Sequence, residues 1–269
     1  MELRTKGSLW LGTSVVLMLV FVNSFSIWAY LYRVVALRYL VILPFVITAG
    51  CIIALLLKRS SVPQPREIAW VAAAVVVAAI GLLLPDAQVL AKRIHIPEYI
   101  ILALVVRKAL SFHVNGYALL LWTGLIGGVL GVHDELLQGL HPQRYYGLRD
   151  MTVNVFGVAS GTMLGHGLRL FESQPRNGTS DVWNRGIVTG VLVFTVAILV
   201  LVLSIGSYRG ESTPGWTIVP IIVAAIVWNV TVQSQNVEEL RSVTGSFFGF
   251  AAATAAVPFF SWTLKLTIQ

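Results

Sequence analysis

The chain has 269 residues, 57% hydrophobic and only 12% charged, with a mean hydropathy of +0.80 and a formal charge of +7. Soluble domains carry about a quarter charged residues; here apolar runs of roughly twenty residues recur instead, which excludes an ordinary soluble domain and indicates a multi-pass membrane protein. The runs are continuous rather than alternating, so an all-α transmembrane bundle is expected in place of a barrel, and the basic residues are scattered over short loops without interleaved aromatics, which argues against nucleic acid as a partner.

A short basic lead, Arg4 and Lys6, precedes the first run at 9–31. This run is long and ends in Trp28, Tyr30 and Tyr32, so a retained span is expected rather than a cleaved signal peptide. Further runs lie at 39–57, 68–84, 96–112, 118–137, 151–170, 186–205, 216–232 and 247–264, which predicts eight to nine spans. Pro44 interrupts the second run and predicts a kink there. Cys51, the only cysteine, excludes an intrachain disulfide and any cysteine-based metal site. Trp28, Tyr145, Tyr146 and Trp216 suit an interfacial aromatic belt.

The longest polar connector, 172–185, is rich in Ser, Asn and Gly and reads as a linker. It divides the chain into two N-terminal spans (1–67), a four-span core (68–171) and a C-terminal three-span unit (186–269). Asn177-Gly178-Thr179 and Asn229-Val230-Thr231 fit the glycosylation pattern, a motif that often arises by chance. Glu238, Glu239 and Arg241 read as a solvated loop.

Lys and Arg in the loops set orientation. With the N-terminus inside, eleven lie on the inner side and eight on the outer. This bias expects a cytoplasmic N-terminus in the plasma membrane and puts the 133–150 segment on the outer face.

That segment is the densest polar stretch between two apolar runs. Short connections make the fourth, fifth and sixth spans antiparallel neighbours, so three polar groups converge at one membrane face. The first is Lys92, Arg93, His95, Glu98 and Tyr99; the second is His133, Asp134, Glu135 and Gln138; the third is Arg144, Arg149, Asp150 and Asn154. On the fifth span Gly124, Gly127, Gly128 and Gly131 step toward Asp134, Glu135 and Gln138 at helical spacing. On the sixth, Asp150, Asn154, Gly157, Gly161 and Gly165 share a face. Small residues let membrane helices approach closely, so these two glycine stripes are expected to pack on each other. Arg107 lies about 14 Å deeper than Glu98 and is expected to snorkel to the opposite interface.

The pattern Asp134-Glu135-x-x-Gln138, Pro142-x-Arg144, Asp150-x-x-x-Asn154-x-x-Gly157-x-x-x-Gly161 resembles the VanZ family, as does the upstream Lys92-Arg93-Ile94-His95-Ile96-Pro97-Glu98-Tyr99. The resemblance covers 68–170, less than half the chain. Gln143 stands where that family usually has Gly, and His133 where it usually has a small residue. The resemblance implies a cell-envelope role of the kind associated with low-level teicoplanin resistance, with no settled chemical mechanism.

The residues themselves leave three readings open. Lys92, Arg93, Arg144 and Arg149 could hold an anionic or lipid-linked glycan ligand, with Gln138, Asn154, His133 and Tyr99 completing the binding site. Alternatively, Asp134, Glu135, Asp150, Glu98 and His95 could supply acid/base catalysis on a polyprenyl-phosphate or other lipid-linked substrate, with or without a divalent cation on Asp134, Glu135 and Asp150. No resident cofactor is called for. The third reading is a polar network that only fastens the helices, in a scaffold or a transporter.

Overall fold

The computed structural model describes residues 2–57, 64–85, 90–141, 147–172, 185–208, 211, 213–233, 238–264 and 268. These residues form helices α1 (Glu2–Val22), α2 (Ser24–Val34), α3 (Leu37–Leu57), α4 (Pro65–Leu83), α5 (His95–Leu110), α6 (Gly116–Gly139), α7 (Leu148–Gly167), α8 (Arg185–Ser207), α9 (Val219–Gln233) and α10 (Glu238–Thr263). No strand occurs among them. Five segments are long and apolar enough to cross a membrane: Thr5–Val22, Tyr39–Leu57, Pro65–Leu83, Gly116–Gly139 and Val243–Thr263. Val191–Ser207 and Gly215–Trp228 are shorter apolar helices.

The outer surfaces of these helices are apolar. Val16, Val20, Ile42, Val46, Val76, Leu192, Val196 and Ile226 are all exposed. Water-soluble proteins seldom show apolar surface on this scale, and hydrocarbon is the solvent that accepts it.

The expected first span is two helices. Asn23 interrupts it, its amide donating back to Leu19 O at 2.8 Å. Trp28 is buried against Leu40 and Ile94 rather than lying in an interfacial belt. The chain stays helical through Pro44, whose carbonyl accepts from Thr48 Oγ1 at 2.7 Å. Glu238, Glu239 and Arg241 open α10 and are not a loop.

The chain divides into two compact units, one of 1–134 with 149–173 and one of 135–148 with 174–269. In the first, α7 is the central helix. A β-carbon placed on Gly157, Gly161 or Gly165 would meet Tyr99, Ile100 and Ala103, or Arg107, respectively, all on α5. The ascending order on both helices makes α5 and α7 parallel. A β-carbon on Gly131, Gly127 or Gly124 would meet Asn154, Val158 or Thr162, so α6 lies antiparallel on a neighbouring face of α7. The third face takes α4: Ser160 Oγ donates to Ala74 O at 2.9 Å, and Gly167 abuts Trp70 and Glu67. Helix α1 runs antiparallel along α5, Gly7 against Ala109 and His113, Phe21 against Tyr99.

This corrects the expected glycine pairing. The two stripes do not meet. The 157–161–165 row and the 154–158–162 row are about 60° apart around a helix, enough to address two different neighbours. Each glycine row receives the larger side chains or backbone of a different helix. Being surrounded also explains the modest hydropathy of α7: twelve of its twenty residues are buried in protein, including Asp150, Asn154 and Ser160.

The second unit contains α8, α9 and α10. Phe194, Trp228, Phe247 and Phe248 form its aromatic core, with the Phe194 and Phe247 rings 4.5 Å apart. A groove of about 480 Å³ is lined by Phe194, Ile222, Phe248, Ala252, Ala255 and Phe259, without an ionisable side chain.

Candidate functional site

The start of α5, α6 as far as Asp134 and the start of α7 come together in the first unit. Each end has a local reason to carry polar groups. A 3-10 turn, Leu90–Ile94, delivers Lys92 and Arg93 to the head of α5. Pro97 sits in the first turn of α5, where backbone N–H groups lack intrahelical partners, so its missing N–H costs nothing there. Glu98 and Asp150 occupy first turns, where the helix dipole favours a negative charge.

The Tyr99 hydroxyl donates to Asp134 Oδ2 at 2.7 Å, joining α5 to α6, and both residues have no exposed surface. Asn154 Nδ2 donates to the carbonyl of Gly131 at 3.1 Å, joining α7 to α6. That bond fixes the amide's orientation, since the flipped amide would set two oxygens against each other. Lys92 Nζ forms an ion pair with Asp150 Oδ2; the lysine side chain is 37% exposed and the aspartate 5%. His95 Nδ1 lies 3.3 Å from Glu98 Oε2, one helical turn on, and both side chains are largely buried.

Asp150 Oδ1 and Asn154 Oδ1 are buried and have no hydrogen-bond partner among the described residues. They lie four residues apart on α7 and therefore on one face, about 6 Å along the axis. Leaving an acceptor buried and unpaired costs about 1–3 kcal/mol.

Not every expected site residue joins this group. His133 is half-buried, its Nδ1 makes no hydrogen bond among the described residues, and it points about 100° away from Asp134 around the helix. Arg149 is exposed beside the buried Asp150. Lys92 is held by Asp150, whereas Arg93 lies over the Phe45 ring at 5.5 Å and its buried Nε makes no hydrogen bond among the described residues. Glu135 and Gln138 are buried in the last turn of α6, within the stretch assigned to the second unit. Arg144, with Pro142, Tyr145 and Tyr146, lies outside the described residues, as does Asn177-Gly178-Thr179. Among the described residues, no group of three or more His, Cys, Asp or Glu side chains is placed to hold a metal ion.

Comparison of the chain with protein-family models, with curated proteins and with solved structures finds no match. The VanZ resemblance therefore rests on the motif residues alone.

A second polar group lies at the far ends of the same helices. Arg107 is completely buried. Its Nε donates to Leu170 O at 2.8 Å and its Nη2 to Glu172 Oε1 at 3.1 Å. It does not snorkel to the interface; it holds the chain just beyond α7. Gly165 makes this possible, since a β-carbon there would stand 2.6 Å from Arg107 Cδ. Sequence reading missed this group because its acidic partner, Glu172, belongs to the polar connector.

The Tyr99–Asp134 bond yields a direct expectation. Removing the hydroxyl in Tyr99→Phe deprives a buried carboxylate of a donor and should cost about 1–2 kcal/mol. The measurement is the thermal midpoint in detergent. A midpoint equal to wild type would show that this bond does not hold α5 to α6.

Proposed function

We propose that the chain is a multi-pass protein of the cell envelope, the role the VanZ resemblance implies, and that it binds a hydroxyl-bearing, lipid-linked or glycan ligand at the ends of α5, α6 and α7. The observation that carries this reading is the pair of buried acceptors, Asp150 Oδ1 and Asn154 Oδ1, one turn apart and without partners among the described residues. Acceptor oxygens at that spacing suit adjacent hydroxyl donors, as on a sugar ring. Asp150 already holds Lys92 through its other oxygen, so the free Oδ1 is left to accept from a ligand hydroxyl. In this reading α5 and α7 also cross the membrane, shielded by their neighbours, for eight to nine spans in all. The site then faces outward from the plasma membrane, with the N-terminus cytoplasmic.

The Tyr99–Asp134 hydrogen bond favours a second reading, acid/base catalysis on a lipid-linked substrate. A carboxylate bonded to a phenol is placed to pass a proton to or from a bound hydroxyl. Asp134, Glu135, Asp150, Glu98 and His95 are the candidate groups.

The experiment substitutes Asp134→Asn, Glu135→Gln, Arg144→Lys and Asp150→Asn one at a time. Folded yield in detergent is compared with glycopeptide tolerance conferred on a bacterial host. The binding reading expects Asp150→Asn to keep near-normal yield and lose the tolerance. Loss of yield in all four variants would make the cluster a helix fastening and nothing more.

A further inference from the structure

The far ends of α4 to α7 carry a built but poorly satisfied cationic site. Helix α7 closes with a Schellman motif: Leu170 N bonds Gly165 O at 2.9 Å and Arg169 N bonds His166 O at 3.1 Å. The position that favours glycine is Arg169, with φ of 51°, and Phe171 follows with φ of 63°. Two side-chain-bearing residues in the left-handed region are strained, and such strain persists only where surroundings impose it. An ion pair holds the first. Arg169 Nε binds Glu67 Oε1 at 2.6 Å, while Glu67 Oε2 accepts from Gln64 N at 2.7 Å to cap α4. The two turns return Glu172 onto Arg107 and His166.

The fit of that carboxylate is incomplete. Arg107 offers five N–H donors in a planar fork, but its Nε is committed to Leu170 O, so Glu172 binds through one oxygen only. Among the described residues, Arg107 Nη1 is buried without a hydrogen-bond partner, and so is His166 Nδ1, which stands 3.7 Å from the same Glu172 Oε1. The His166 ring lies against Trp70 and Tyr117, each 5.1 Å away, and Arg66 bonds the Tyr117 hydroxyl. Among the described residues, four cations, Arg66, Arg107, Lys108 and Arg169, stand with two carboxylates, Glu67 and Glu172. The site reaches the surface: Glu172 is 23% and Arg169 59% exposed.

We propose that this is a phosphomonoester-binding site, for which the protein's own Glu172 carboxylate serves as a resident substitute. A phosphate carries three acceptor oxygens spread tetrahedrally, so it can engage Arg107 Nη1 and Nη2 together and still reach His166, which one carboxylate oxygen cannot. A ligand displaces Glu172 outward, toward the partly exposed surface it already touches. The site is distinct from the acceptor pair at the opposite ends of these helices, and neither reading depends on the other.

The test uses the full chain in detergent and measures binding of phosphatidic acid, inorganic phosphate and phosphatidylcholine by native mass spectrometry. E172Q should bind phosphatidic acid at least tenfold tighter than wild type, without a gain for phosphatidylcholine. Competition by inorganic phosphate at comparable concentration would assign the site to free phosphate; none would assign it to the lipid headgroup. R107K in the E172Q background should abolish the gain, because an ammonium lacks the fork; if that double variant does not fold, H166F in the same background should reduce the gain. Equal binding by E172Q and wild type, equal gain for phosphatidylcholine, or failure of E172Q to fold would each overturn the proposal.

Discussion

Gly161→Ala should destabilise the protein by about 2–3 kcal/mol, whereas Gly128→Ala should leave it unchanged or slightly more stable. The contrast comes from what each new methyl would meet. At Gly161 it would stand 2.7 Å from Ile100 O and 2.9 Å from Ile100 Cα, backbone atoms that cannot rotate away. Relief then requires α5 and α7 to separate, which also shifts Tyr99 and Asn154 from their partners. At Gly128 nothing lies within 4 Å, so the substitution only gains helix propensity, about 0.5–1 kcal/mol. Both residues belong to glycine rows of similar appearance in the sequence. Thermal midpoints in one detergent decide between them, and equal midpoints would refute the close α5–α7 contact.

The second large effect is an asymmetry in the Lys92–Asp150 pair. Lys92→Met should cost about 2 kcal/mol, because it strands a carboxylate that is nearly all buried. The usual cost of breaking a buried pair is reduced here because the lysine end is partly solvated. Asp150→Asn should cost about 1 kcal/mol or less, since Lys92 already reaches solvent and only the first-turn dipole interaction is lost besides. Chemical or thermal denaturation of the two single variants measures both. The opposite ranking would mean that Asp150 is stabilised from elsewhere and that the ion pair is incidental.

Much of this arrangement is legible in the sequence. Apolar runs locate the helices because backbone hydrogen bonding in hydrocarbon leaves few alternatives. The alternation of short connections brings the polar ends of α5, α6 and α7 to one face, where Tyr99 meets Asp134, Asn154 meets the Gly131 carbonyl and Lys92 meets Asp150. What periodicity cannot supply is the neighbour each stripe addresses. Rows 60° apart on α7 look like one face in a sequence, yet one receives α5 and the other α6. Nor does it show how charges pair: Lys92 reads as an anion ligand until Asp150 is seen to hold it. The break at Asn23 is hidden inside an uninterrupted apolar run, because a single residue's turn leaves hydropathy unchanged. The burial of Arg107 escapes for a different reason. Its partners lie more than sixty residues away, beyond a turn built from residues with no usual preference for that conformation.

The claim that the paired acceptors of α7 receive a ligand is tested most directly by comparing lipid binding to wild-type protein and to Asn154→Leu. The ligands are a monoglucosyl diacylglycerol, rich in hydroxyl donors, and phosphatidylcholine, which has none. Native mass spectrometry of both proteins should show wild type holding the glycolipid at least tenfold more tightly than phosphatidylcholine, with that preference lost in the folded variant. Equal affinity of wild type for the two lipids would contradict the account.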